Sequence, residues 1–192
     1  MELAVISDSH IPAREPAIPD AFCERIAAAD HTIHAGDFET ADVLADVREL
    51  ATELTAVHGN IDPDIGLPAV ASVTLGGVTF VVTHGTINPV QTAANARQIS
   101  TTGGGATIRG DVLAGANWET AIADTARVRT RAWNGEGIVG IGGHSHEVVD
   151  TVHEGVRLLN PGSVTGADPA DIATMLTVEV EDGAVDVTLH ER

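Results

Sequence analysis

Five short apolar runs in this chain each lead into residues whose side chains bind metal ions. Runs of this length that are rich in β-branched residues and bounded by glycine are typical of buried strands. Open α/β sheets place their functional sites at the carboxyl ends of such strands. The pattern therefore predicts a metal site assembled from several strand ends. The runs are 3–6 before Asp8-Ser9-His10, 32–35 before Gly36-Asp37, 54–57 before Gly59-Asn60, 78–82 before His84-Gly85, and 138–141 before the segment from Gly142 to His146.

The candidate ligands combine carboxylate, amide and imidazole groups and include no thiolate. This chemistry favours Mn²⁺, Fe²⁺, Ni²⁺ or Zn²⁺ over a soft metal or a structural cysteine site. Singly, each residue is more simply a polar residue of the core or of a loop, but the ordered set predicts a metal centre. The set is Asp8, His10, Asp37, Asn60, His84, His144 and His146.

Seven ligands exceed what one catalytic ion with open positions needs. Two ions about 3.5–4 Å apart, bridged by a carboxylate and a water molecule, fit the set better. Asp37 is the candidate bridge, because it follows a strand and a glycine and has no second ligand beside it.

The order of these motifs resembles that of the calcineurin-like metallophosphoesterases, in particular their small single-domain phosphodiesterase branch. The shared pattern is Asp-x-His, Gly-Asp, Gly-Asn, a strand-end His-Gly and Gly-His-x-His, and it extends here from Asp8 to Ser163. The resemblance implies a fold of the α/β class, a four-layer α-β-β-α sandwich of two mixed β-sheets flanked by helices. It also implies hydrolysis of a small phosphate ester, most simply a diester, by a hydroxide that bridges two divalent ions.

Carried over by position, the resemblance assigns the seven ligands to two ions that share Asp37. It favours Mn²⁺, leaves Ni²⁺, Fe²⁺ and Zn²⁺ open, and implies catalytic roles for Asp37, Asn60 and His84. Asn60, His58 and Arg14 are the candidates for contact with substrate, although a structural role is the simpler alternative for His58 and Arg14. One ion is assigned to Asp8, His10, Asp37 and His146, and the other to Asp37, Asn60, His84 and His144.

Three features depart from the family pattern. Ile61 stands where many relatives carry the histidine of Gly-Asn-His-Asp/Glu, and an isoleucine side chain cannot transfer a proton to a leaving group. Thr86 follows His84-Gly85 where relatives often have a second histidine, which removes a substrate contact but keeps the ligand. The stretch 98–117 is longer than the usual connection. The source of leaving-group protonation is therefore open.

A second function from a different class also fits the first motif. Residues 8–12, Asp-Ser-His-Ile-Pro, resemble the metallophosphoesterase-like subunit of retromer, which implies a catalytically weak scaffold for protein assembly. An intact set of metal ligands distinguishes an enzyme from a scaffold. Asp37 and Asn60 keep the residue types that active relatives use. The sequence therefore favours an enzyme, and no motif in it names the natural substrate.

The charge balance is strongly acidic, with 28 acidic and 10 basic residues, a net charge of −18 and no lysine. Such a surface repels nucleic acid and anionic membranes, which argues against binding either through a basic patch. The composition resembles that of proteins from salt-loving archaea, with an ordinary acidic cytosolic protein as the alternative. A homo-oligomer is compatible with the sequence.

Length and hydropathy predict a single domain over residues 1–192, because a chain of this size that is 43% hydrophobic can bury a substantial core. The chain enters its first strand without a basic leader, and no apolar run reaches the length of a membrane span. These features predict a cytoplasmic protein.

Strands and helices alternate in the first half, and strands dominate the second. Helical spacing predicts helices over 20–29, 40–51, 88–99 and 118–132, with Asp20 and Thr40 as caps of the first two. Late strands are predicted over 147–152, 156–159, 175–180 and 184–189, with Glu154-Gly155 and Asp182-Gly183 as hairpin turns.

Three further segments near the motifs are predicted to shape the site. His34 is expected to be a buried neutral histidine or a hydrogen-bond partner of a ligand. Asp62-Pro63-Asp64 indicates an Asx-type turn, and the segment 160–163, Asn-Pro-Gly-Ser, indicates a turn beside the site.

Overall fold

The computed structural model describes residues 1–86, 110–132, 135 and 137–192. The predicted helix at 88–99 and the first part of the 98–117 stretch lie outside the described residues. The described elements are β1 (Glu2–Ile6), α1 (Asp20–Ala28), β2 (His31–His34), α2 (Ala41–Leu50), β3 (Leu54–Ala56), β4 (Val70–Leu75), β5 (Val78–Thr83), α3 (Gly110–Thr130), β6 (Ile138–Ile141), β7 (Val148–His153), β8 (Val156–Pro161), β9 (Thr174–Glu181) and β10 (Ala184–Glu191).

The strands form two mixed sheets of five strands each. The first sheet has the order β10-β9-β1-β2-β3, in which β1, β2 and β3 are parallel, β9 is antiparallel to β1, and β10 is antiparallel to β9. The second has the order β4-β5-β6-β8-β7, in which β5, β6 and β8 are parallel and β4 and β7 are antiparallel edge strands. Each sheet therefore has parallel strands at its centre.

Alternate residues of the central strands face two different cores. Leu3 and Val5 of β1 pack between the sheets, together with residues of β5, β6 and β9. Ala4 and Ile6 face the opposite side, where α1 and α2 cover the first sheet. Because both faces of β1 are buried, its sequence is continuously apolar rather than alternating.

The second sheet is covered on its outer face by α3. Trp118 and Ile122 of that helix pack against Val81 of β5 and Leu158 of β8. The layers are therefore helices, sheet, sheet and helix, and the predicted four-layer α-β-β-α sandwich is confirmed.

Two elements differ from their predictions. The sequence does not predict strand β4. Its residues lie at the edge of the second sheet in half-buried and exposed positions, and the strand is held mainly by its pairing with β5. Helix α3 begins at Gly110, eight residues before the predicted start at 118. The hairpin turns occur as predicted: Glu154-Gly155 and Asp182-Gly183 adopt positive φ, as type I′ turns require.

One of the two predicted helix caps is wrong. Thr40 caps α2 as expected, since its hydroxyl accepts a hydrogen bond from the Val43 N–H at 3.2 Å. Asp20 is instead the first helical residue of α1, after Pro19, and forms no side-chain cap. Its carboxylate still lies in the first turn, where the helix dipole favours negative charge.

None of the helices in the described ranges combines the length and the hydropathy needed to cross a lipid bilayer.

Candidate metal centre

The predicted ligands meet at the carboxyl ends of the parallel strands of both sheets. Asp8 and His10 follow β1, Asp37 follows β2, and Asn60 follows β3. The remaining ligands follow the second sheet: His84 comes directly after β5, and His144 and His146 follow β6. This convergence depends on the two sheets packing face to face with these strand ends on one side.

The first ligand cluster consists of Asp8, His10 and His146, whose potential ligand atoms lie within 4.8 Å of one another. His10 Nε2 lies 3.0 Å from His146 Nε2 and 3.8 Å from Asp8 Oδ1. His146 Nε2 lies 3.3 Å from the same oxygen. All three side chains are buried, so the cluster is held rigidly.

The second ligand cluster consists of Asp37, Asn60, His84 and His144. His84 Nε2 lies 3.3 Å from Asp37 Oδ2 and 3.0 Å from Asn60 Oδ1. The His144 ring lies edge-on to the His84 ring, with the ring centroids 5.2 Å apart. Among the described residues, two groups of three side chains have all their ligand atoms within 4.8 Å of one another, and His144 belongs to neither. His144 is therefore the least closely placed of the seven predicted ligands.

Two carboxylates lie between the clusters. Asp37 Oδ2 is 3.3 Å from His84 Nε2 and 3.7 Å from His10 Nε2, so it reaches a histidine of each cluster. Asp8 also forms a group within 4.8 Å with Asp37 and His84. The geometry is compatible with Asp37 as a bridge and places Asp8 beside it.

Each buried histidine of the two clusters directs Nε2 into the centre. Its Nδ1 faces an oxygen that only accepts hydrogen bonds, which favours the tautomer with the hydrogen on Nδ1 and the lone pair on Nε2. The Nε2 atoms of His10 and His146 face each other, and that of His84 faces the Asp37 carboxylate. A cation would stabilise such a cluster of acceptors. The contacts are His10 Nδ1 to Glu39 Oε1 at 3.2 Å, His84 Nδ1 to the Ala35 carbonyl at 2.8 Å, and His146 Nδ1 to the Ala167 carbonyl at 2.8 Å.

The electrostatics of the centre also favour a cation. Burial acts to raise the pKa of Asp8, but His10 and His146 beside it hold that pKa far below its ordinary value. Burial lowers the pKa of His84, yet the adjacent Asp37 raises it above the ordinary value. Asp8 Oδ1 is buried and accepts no hydrogen bond among the described residues. A buried carboxylate oxygen without a donor is the feature that a bound metal ion would satisfy, so the residues present fit a divalent ion.

The backbone at the centre is held in an unusual conformation. Five of the seven predicted ligands have positive φ, a left-handed conformation that costs a residue with a side chain about 1–2 kcal/mol. These ligands are Asp8, His10, Asp37, His144 and His146. Two glycines allow the loops to approach one another. A Cβ at Gly59 would collide with the Asp37 carboxylate, and one at Gly143 would collide with Ser7 and Asp8.

Sequence reasoning missed two carboxylates that support the centre. Glu39 contacts His10, and no pattern in the sequence marks it. Asp62 was interpreted as part of an Asx-type turn, which is wrong: its carboxylate accepts hydrogen bonds from the backbone N–H groups of residues 37–39 and of Gly59. Asp64 does form the local contact, to the Gly66 N–H at 3.4 Å.

His34 supports the ligand loops, as the sequence predicted. The segment 160–163 also supports them, but Asn160 and Pro161 end strand β8 instead of forming the predicted turn. His34 is fully buried, and burial lowers its pKa to about 3, so it is neutral. Its Nδ1 accepts from the Gly36 N–H at 3.1 Å, and its Nε2 lies 2.8 Å from Ser9 Oγ. Asn160 donates to the Gly143 carbonyl at 3.1 Å, and the Ser163 hydroxyl donates to the Asp8 carbonyl at 2.8 Å.

The predicted substrate contacts lie at the rim. His58 is exposed, and its Nδ1 donates to the Gly59 carbonyl at 2.7 Å. Arg14 is exposed and donates to the Asp168 carbonyl at 2.7 Å. Ile61 is 36% exposed, and its backbone N–H donates to Asp37 Oδ1 at 3.2 Å.

Comparison with known families identifies the group to which the chain is related. The model of the calcineurin-like phosphoesterase superfamily domain matches residues 1–183. The chain belongs to this superfamily. A probable metallophosphoesterase of Methanothermobacter thermautotrophicus is 28% identical over 178 residues, which cover 92% of this chain and 84% of that protein. Members of the superfamily usually bind divalent metal ions.

Solved structures share the fold. Vps29 of Entamoeba histolytica, in a single-mutant form, has a TM-score of 0.67 at 21% identity, covering 100% of this chain and 99% of that one. A second structure of wild-type Vps29 from the same organism, with a TM-score of 0.61, contains Zn²⁺. An archaeal phosphodiesterase has a TM-score of 0.62 at 20% identity, covering 99% of this chain and 100% of that one.

Proposed function

We propose that this chain hydrolyses phosphate diesters with the help of two divalent metal ions, of which Mn²⁺ is the preferred one. The observation that carries the proposal is the arrangement of the buried acceptors. Three Nε2 lone pairs face Asp8 and Asp37, and Asp8 Oδ1 has no donor among the described residues. The phosphodiesterase and the zinc-containing Vps29 among the structural neighbours support the same proposal through the shared fold.

The two ions would share Asp37, in agreement with its contacts to a histidine of each cluster. When bound, such ions lower the pKa of a water molecule that attacks phosphorus and stabilise the negative charge of the transition state. Asn60 is the exposed ligand, so it lies closest to an incoming phosphate. The first ion would be held by Asp8, His10, Asp37 and His146, and the second by Asp37, Asn60, His84 and His144.

The charge of the site supports a diester over a monoester. Two divalent ions bring four positive charges, and four carboxylates lie at the centre or hold its loops: Asp8, Asp37, Glu39 and Asp62. The pocket is therefore close to neutral before substrate enters. A diester carries one negative charge and a monoester up to two, so a monoester dianion would leave more excess negative charge in this pocket, inside a chain of net charge −18.

Ile61 supports a preference among leaving groups. Its backbone N–H donates to Asp37, and its partly exposed side chain has no proton to offer. General acid help is typically worth 10²–10⁴-fold, and leaving groups of low pKa need it least. Aryl diesters should therefore react faster than alkyl diesters.

The strongly acidic chain supports a small substrate and argues against nucleic acid bound through a basic patch. We further propose that the protein is a single domain that works in the cytoplasm of a cell with high internal salt.

The test is hydrolysis of bis-nitrophenyl phosphate and of nitrophenyl phosphate by the purified chain in molar KCl. We expect turnover with Mn²⁺, a preference for the diester, and loss of activity with EDTA. Asp37→Asn is the inactive control, and Asp64→Asn the matched surface control. A wild type that prefers the monoester would refute the diester assignment.

A scaffold for protein assembly is the second candidate. The resemblance of the first motif to the retromer subunit favours it, and the fold shared with Vps29 is compatible with it. A chain that shows no turnover with Mn²⁺, Ni²⁺, Fe²⁺ or Zn²⁺ while remaining folded would support this alternative.

A further inference from the structure

Glu39 connects the loop after β2 to the loop after β1. Its Oε1 lies 3.2 Å from His10 Nδ1, and its Oε2 accepts a hydrogen bond from the Ala13 N–H at 3.1 Å. The Glu39 side chain is 13% exposed; its contact with His10 is partly buried, whereas its contact with the Ala13 N–H is exposed. Both carboxylate oxygens are therefore used within the protein.

His10 differs from the other buried histidines of the two ligand clusters in the partner of its Nδ1. The backbone carbonyls of Ala35 and Ala167 hold His84 and His146. The acceptor at His10 Nδ1 in the described structure is the side-chain carboxylate of Glu39. The orientation of His10 therefore depends on one residue that can be substituted.

The backbone of Glu39 indicates that the side chain is needed. Glu39 has a φ of +78°, a conformation that glycine adopts readily and that residues with a Cβ disfavour. Asp62 accepts a hydrogen bond from the Glu39 N–H at 2.8 Å and so holds this backbone in place. A glycine at this position would suit the backbone and would remove the side chain together with its carboxylate.

We propose that Glu39 is a positioning residue that strengthens metal binding through His10. Its carboxylate accepts a hydrogen bond only from a hydrogen on His10 Nδ1, which favours that tautomer and holds the ring in one orientation. The Nε2 lone pair then faces Asp8 and His146 in the first ligand cluster. Carboxylates that bind the second nitrogen of a metal-ligating histidine act in this way. The proposal rests on the metal centre described under the proposed function.

The first test uses the metal-free protein and does not depend on activity. In ¹⁵N-labelled protein at pH 8, the nitrogen shifts of the wild type should show the hydrogen of His10 on Nδ1. Glu39→Gly should give a mixture of tautomers at His10 and leave His84 and His146 unchanged. An unchanged His10 tautomer in Glu39→Gly would refute the positioning role.

The second test measures Mn²⁺ binding by titration calorimetry. Glu39→Gly should weaken the site that contains His10 by about 10–100-fold, the usual effect of losing such a partner. Glu147→Gly is the matched control, because Glu147 is exposed and its loss removes the same charge near His146; it should change the affinity less than twofold. Glu39→Gln, which keeps the size of the side chain, should also weaken binding.

A double-mutant cycle separates action through His10 from a general effect of charge or structure. In a His10→Ala background, Glu39→Gly should change Mn²⁺ affinity less than twofold, because the histidine through which it acts is absent. An equal loss in both backgrounds would refute the proposal. If the wild type binds no Mn²⁺, the proposed function fails, while the His10 tautomer still decides the role of Glu39.

Discussion

Asp62→Asn is the substitution whose effect follows most directly from the structure. Asp62 Oδ1 accepts from the N–H groups of Phe38 and Glu39, at 2.6 and 2.8 Å. Its Oδ2 accepts from those of Asp37 and Gly59, at 3.1 and 2.7 Å. An asparagine has one oxygen, so in either orientation of the amide two of these N–H groups lose their acceptor.

The cost can be worked out from those two groups. A buried donor left without a partner costs about 1–3 kcal/mol, and the four contacts here are partly buried. We therefore expect Asp62→Asn to lower the free energy of unfolding by about 2–3 kcal/mol. For a chain of this length each kcal/mol shifts the melting temperature by about 2–4 °C, which gives a decrease of roughly 5–10 °C.

The assay is thermal unfolding by circular dichroism in molar KCl with EDTA, so that metal binding does not add to stability. Asp64→Asn is the matched control, because it makes the same chemical change two residues along the loop, where only the long contact to the Gly66 N–H is at stake. That variant should melt within about 2 °C of the wild type. Equal melting temperatures for the two variants would refute the view that Asp62 holds the loops together.

Three further predictions concern the metal ions, the leaving group and salt. Asp37→Ala should abolish binding of both Mn²⁺ ions in calorimetry, whereas His10→Ala should weaken one; equal stoichiometry in the two variants would contradict Asp37 as the bridge. Ile61→His should raise the rate on alkyl diesters more than on nitrophenyl diesters, because only alkyl leaving groups need a proton; an equal change on both would show that this position does not control protonation. The melting temperature should rise from dilute buffer to molar KCl, since the net charge of −18 is then screened; a constant value would remove the high-salt interpretation.

The sequence by itself determined the fold class, and it pointed to the residues that converge at the centre. Runs such as 3–6 and 138–141 are apolar throughout because both faces of their strands are buried, and that signal is local. The ordered motifs at the strand ends led to the superfamily, which the family match confirmed. The ligand assignments stay predictions, although Asp8, His10, Asp37, His84 and His146 lie together as a metal centre requires.

Features that arise from contacts between distant segments could not be predicted. Strand β4 is held by its neighbour rather than by its own pattern. Asp62 was assigned to a local turn, since a sequence pattern cannot show that its carboxylate reaches residues 37–39.

Only the tertiary structure decided what holds the ligands in place. The sequence supplies the donor atoms, but the parallel pairing of β1 with β2 in the first sheet brings the loop after β1 against the loop after β2. Glu39 then contacts His10, and His34 contacts Ser9 between two ligands. Five ligands have a left-handed backbone, which residues with a Cβ disfavour when isolated, so the folded structure must hold it in place.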